Sequence, residues 1–140
     1  MTRARLGTIL ILAASPLALV ACGGGKEAGV AQRDVVVRLG EQNGSGESGT
    51  ATLIATAANA TTVVVKLAHA PEIRQPAHVH AGTCGDIDPL PAYMLNELDG
   101  GRSETTLPVS LHELRASHLV VNVHKSDTDV KTYAACGPIP

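Results

Sequence analysis

The chain has 140 residues, 44% of them hydrophobic, and a formal net charge of −2. That length builds one domain and not two, and the lack of a basic stripe to release counterions from phosphates argues against a nucleic-acid partner. There is no Phe or Trp, and Tyr93 and Tyr133 are the only tyrosines, so stacking platforms for bases or sugars are scarce.

Arg3 and Arg5 precede an apolar run over residues 6–21, interrupted only by small residues and Pro16. A positive start and a short hydrophobic middle read as a secretory signal, and the run is too short for a comfortable transmembrane helix. Leu19-Val20-Ala21-Cys22 then resembles the lipobox of bacterial lipoproteins, in which small residues precede a cysteine that is acylated and becomes residue one. Gly23, Gly24 and Gly25 follow, as a flexible tether requires. Residues 1–21 are therefore expected to be a lipoprotein signal peptide, 22–32 the lipidated Cys22 with its tether, and 33–140 the folded domain. The lipobox resemblance implies an exported protein, held to the cell envelope by the lipid on Cys22 and facing the periplasm or the cell surface. Without Arg3 and Arg5 the mature part is mildly acidic, with nine positive side chains against thirteen acidic ones. With Cys22 taken by the lipid, Cys84 and Cys136 remain, and two cysteines in an oxidising compartment usually bond.

From Arg33 onward the pattern is one of short strands separated by turn residues. Residues 34–39 are a β-branched run that ends in the Gly/Asn/Ser/Glu-rich stretch 40–49. Strands are predicted over 50–57 and 61–68, the second with Val63, Val65 and Leu67 alternating with Thr62, Val64 and Lys66. Another strand is predicted at 77–81. Residues 82–103 show no convincing period and read as the longest irregular stretch. Strand signals resume at 105–111, a single helical turn fits 112–116, and strands close the chain at 119–123 and 130–135. Seven or eight short strands with regular turns predict an all-β sandwich or barrel.

Three of the six histidines stand out by placement. His78-Val79-His80 lies on a predicted strand, where alternation puts both imidazoles on one face, about 6.7 Å apart. Leu119, Val121 and Val123 share one face of their strand, which leaves His118, Asn122 and His124 on the other. If both apolar faces look into the core, His78, His80 and His124 look outward and meet on one external patch. Three neutral imidazoles suit copper or zinc, whereas calcium and magnesium prefer carboxylate oxygens. His69, His112 and His118 read as surface or turn residues.

These residues, taken in order, are similar to the copper/zinc superoxide dismutase family. Ala77-His78-Val79-His80, followed by Gly82 and Cys84, resembles the family's H-V-H copper motif and its loop cysteine. The segment 119–125, ending in His124-Lys125, resembles the strand that carries a further copper histidine. Ala135-Cys136-Gly137-Pro138-Ile139 resembles the C-terminal A-C-G-x-I, whose cysteine bonds the loop cysteine. The resemblance implies an eight-stranded Greek-key barrel or sandwich, a Cys84–Cys136 disulfide, and copper ligands at His78, His80 and His124. Met94, Tyr93 or water is left to complete the coordination.

Two departures bear on function. The family's bridging histidine and zinc ligands lie in a loop after the cysteine, and here no histidine occurs between His80 and His112. Copper is therefore the expected cofactor and zinc is not. The family's enzymes also carry an arginine three residues before the last cysteine, to attract superoxide, and here that position is Tyr133. A phenol does not supply that field at neutral pH. The leading expectation is a metal-binding module for storage or delivery, with no catalytic residue assigned. A copper-only superoxide dismutase, and a structural or interaction protein with a vestigial site, are the alternatives.

Overall fold

The computed structural model describes residues 33–140. The predicted signal peptide over 1–21, Cys22 and the tether over 22–32 lie outside the described residues. Eight strands and one short helix follow in the order β1 (Val35–Glu41), β2 (Ser48–Ala57), β3 (Ala60–Ala68), β4 (Ala77–Thr83), β5 (Asp86–Met94), β6 (Arg102–Leu107), α1 (Leu111–Ala116), β7 (Leu119–His124) and β8 (Tyr133–Pro138). All pairings are antiparallel, and the strands run β5-β4-β7-β8-β1-β2-β3-β6 in one sheet that curls as a half-barrel.

Strand β1 joins the two halves of this sheet. Its first part pairs with β2 from Val35 to Leu39, and its end pairs with β8 through Gly40 and Glu41. Where β1 and β8 cross, a side chain at position 137 would collide with the carbonyl oxygen of Arg38, which is why glycine follows Cys136.

Alternation writes the core. Val35, Val37 and Leu39 of β1 point inward, as do Ala51 and Leu53 of β2, Val63 and Val65 of β3, Ala77 and Val79 of β4, and Val121 and Val123 of β7. Leu95, Leu98, Leu107 and Val109 join them, and α1 adds Leu111 and Leu114 from one face. Ser110 caps that helix by accepting a hydrogen bond from the Glu113 backbone N–H. With Tyr93 alone contributing a ring, the core is aliphatic.

Three segments differ from the sequence reading. The stretch 82–103, read as irregular, contains β5. This edge strand is exposed along nearly its whole length and carries Pro89 and Pro91, so no buried face writes an alternation into it. The strand expected over 105–111 starts at Arg102 and stops at Leu107, because Pro108 interrupts it and Ser110 begins the helix. The last strand was expected over 130–135 and lies at Tyr133–Pro138, since Val130 is in the exposed turn that returns from β7.

Candidate metal centre

Strands β4 and β7 are neighbours, with Ala77 opposite Val123, His78 opposite Asn122 and Val79 opposite Val121. This register puts His78 and His80 on the same face as Val120, Asn122 and His124, the face turned away from the core. The three predicted histidines converge there: one ring nitrogen from each of His78, His80 and His124 lies within 4.8 Å of the others. Nitrogens bound to one ion at about 2.0–2.1 Å are roughly 2.9 Å apart at a right angle and roughly 4.1 Å apart when opposite. Small movements of the rings therefore close the group around one ion.

The patch differs from the solvent-facing one expected from alternation. His80 is only 2% exposed and His124 5%. Strand β5 and the turn between β7 and β8 fold over them, so the rings open into a cavity of about 380 Å³ lined also by Pro89, Pro91, Val130, Lys131 and Tyr133. The Tyr133 ring meets the His124 ring edge to face, 5.3 Å between centroids.

The same cover fixes the tautomers. His80 Nδ1 lies 2.7 Å from the Asp88 carbonyl oxygen, and His124 Nδ1 lies 2.6 Å from that of Val130. A carbonyl only accepts, so both Nδ1 atoms carry the proton and both Nε2 atoms present lone pairs. Metal-binding histidines are oriented in this way by partners behind the ring. The His80 Nε2 is buried with no hydrogen-bond partner, an uncompensated cost in the chain alone. His124 Nε2 instead accepts from His78 Nδ1 at 2.9 Å, so His78 presents its Nδ1 side to the group. Behind His124, Gln75 donates to the buried Glu47 carboxylate and to the His124 backbone carbonyl, which holds the end of β7 in place.

Burial holds His78 down to a pKa of about 4, helped by the nearby His124 and His80 rings. Burial also lowers His124, partly opposed by its bond to the Val130 carbonyl. These rings are therefore neutral at neutral pH, and an ion would take the place of the His78–His124 hydrogen bond, with the His78 proton moving from Nδ1 to Nε2. A lowered histidine costs stability on acidification, because the unfolded chain takes up the proton first. The His78 contribution is nil at pH 7, appears as pH falls through 6.5 and is complete below about 4. The expected result is a melting temperature that falls more steeply across this window in the metal-free wild type than in His78→Gln, followed by circular dichroism.

The remaining candidates are not brought to the group. Tyr93 stands opposite Val79 and packs against the core. Met94 stands opposite His78, but it is 64% exposed and does not line the cavity. His112 and His118 are exposed on and beside α1, and His69 lines a separate cavity with Glu47 and Lys125. Cys84 and Cys136 form the expected disulfide, with Cα atoms 5.7 Å apart. Cys136 stands opposite Asn122 on the histidine-bearing face of the sheet. Sequence reasoning placed Asn122 on this face without giving it a role, and it had no access to the Asp88 and Val130 carbonyls, since backbone groups leave no residue-type signal.

Compared with family models, curated proteins and solved structures, the chain matches none.

Proposed function

We propose that this chain is an envelope-anchored lipoprotein whose β-domain holds copper through His78, His80 and His124, for storage or delivery. The observation that carries the reading is the buried, unpartnered His80 Nε2, grouped with a ring nitrogen each of His78 and His124 within 4.8 Å of one another. Imidazole donors suit copper. The residue resemblance to copper/zinc superoxide dismutases, without the zinc histidines, favours copper over zinc. Eight antiparallel strands in one curled sheet are in keeping with the eight-stranded barrel or sandwich that the resemblance implies. The lipobox-like segment ending at Cys22 supports a tether to the membrane.

In this reading the chain's own groups do simple work. The Asp88 and Val130 carbonyls hold the protons of His80 and His124 away from the ion, and Gln75 keeps the β7 end in register. Strand β5 and the β7–β8 turn limit water above the rings. Bound copper supplies a soft, redox-capable centre that these groups position.

One observation favours a second reading, a copper-only superoxide dismutase. Lys131 lines the histidine cavity and offers a cation where the family's arginine is missing, whereas Lys125 pairs with Asp129 at 3.6 Å. Metal analysis of the chain isolated from its own envelope tests the main proposal, with about one copper per chain expected. Absence of copper from that material would refute it, and superoxide dismutation well above that of free copper would move the assignment to the enzyme.

A further inference from the structure

Strand β7 reads Leu-Val-Val-Asn-Val-His, and one amide interrupts an otherwise apolar run. Asn122 is fully buried. Its neighbours Val120, Val121 and Val123 are buried too, so a valine at 122 would fit the strand with no polar group to satisfy. An amide in such a place costs free energy unless its hydrogen bonds are made. They are not. Asn122 Oδ1 is buried with no partner, and Nδ2 has a single contact, 3.4 Å from a His124 Nε2 that already accepts from His78.

The placement gives this amide a target. Asn122 stands opposite His78 and two residues before His124, on the face that carries the three imidazoles. Its short side chain does not line the cavity above the rings, so it approaches the group from the sheet side. The amide atom near His124 Nε2 is 3.4 Å away, within the roughly 2.9–3.5 Å that separates neighbouring ligands of an ion bound at about 2.0–2.2 Å. A half-turn of the amide exchanges its oxygen and nitrogen within almost the same volume. That turn puts the carbonyl oxygen beside His124 Nε2, where the amide nitrogen now lies.

We infer that Asn122 is a fourth, oxygen-donating ligand of the ion held by His78, His80 and His124, an inference that rests on the metal-binding reading above. The amide oxygen reaches the ion from the sheet, and the cavity side stays open. A carbonyl oxygen is a harder donor than sulfur or imidazole and stabilises Cu(II) more than Cu(I). Asn122 thus biases the site toward the oxidised ion.

The test is competition titration of the full chain, solubilised in detergent, with Cu(II) and separately with Cu(I). Wild type is compared with Asn122→Val, which removes the oxygen at similar shape, and with Asn122→Asp, which keeps one. Asn122→Val is expected to bind Cu(II) about tenfold more weakly or worse. Its Cu(I) affinity is expected to stay within about twofold, a difference well under 1 kcal/mol. Asn122→Asp is expected to keep Cu(II) affinity, which holds even if the valine variant fails to fold. Equal weakening for both ions would reduce Asn122 to a structural role and overturn the inference, as would no change for either. If histidine replacement abolishes binding while Asn122 is indifferent, this inference alone fails. If histidine replacement leaves binding intact, the underlying metal reading fails with it.

Discussion

Replacing Cys84 and Cys136 together by alanine is expected to lower the stability of the metal-free chain by about 4 kcal/mol, and its Tm by on the order of 20 °C. The two cysteines are 52 residues apart in sequence, so the bond removes much of the unfolded chain's freedom. Few domains have more than about 5–15 kcal/mol to lose, and this core has no Phe or Trp to add margin. Cys136 is itself buried, so alanine there also leaves a small void. The loss extends to the histidines. Cys84 lies in the turn from β4 to β5, where Gly82 takes a positive φ of 109° and a side chain would strike the Asp86 carbonyl. The bond ties this turn to β8, and the turn leads into Asp88, whose carbonyl holds the His80 proton. Copper affinity is therefore expected to fall together with stability. Urea unfolding of oxidised wild type and of the alanine pair checks the first effect. A difference below about 1 kcal/mol, the range of ordinary surface substitutions, would contradict it.

The fold was legible where one face of a strand is buried. In β1 the buried Val35, Val37 and Leu39 alternate with exposed residues, and in β4 and β7 the core residues alternate with the histidine-bearing face. Periodicity failed where a strand has no buried face. Strand β5 has little buried surface and two prolines, so its sequence reads as loop although it completes the sheet edge. Strand β8 was placed too early because Val130, apolar but 47% exposed, mimics a strand start.

Much of the candidate site was also legible. The H-x-H spacing of His78 and His80, and the phase of His124 against Leu119, Val121 and Val123, sufficed to place all three rings on one side. Their burial was not legible, because the cover comes from Pro89, Pro91 and the turn around Val130, segments without pattern. Nor were the tautomers, which depend on two backbone carbonyls remote from any motif. The lone amide of Asn122 in an apolar strand was a signal left without a role.

Everything proposed about chemistry depends on three imidazoles taking one ion between β4 and β7. Competition titration with Cu(II), comparing the wild-type chain with one carrying His78→Ala, His80→Ala and His124→Ala, addresses this directly. Wild type is expected to bind one equivalent, and the triple variant to lose more than about 100-fold in affinity, since removing ligands exceeds the effect of disturbing the groups behind them. Circular dichroism of the metal-free variant shows whether the sheet persists. One tightly held equivalent in a folded triple variant would mean that the ion sits elsewhere, and would contradict the assignment.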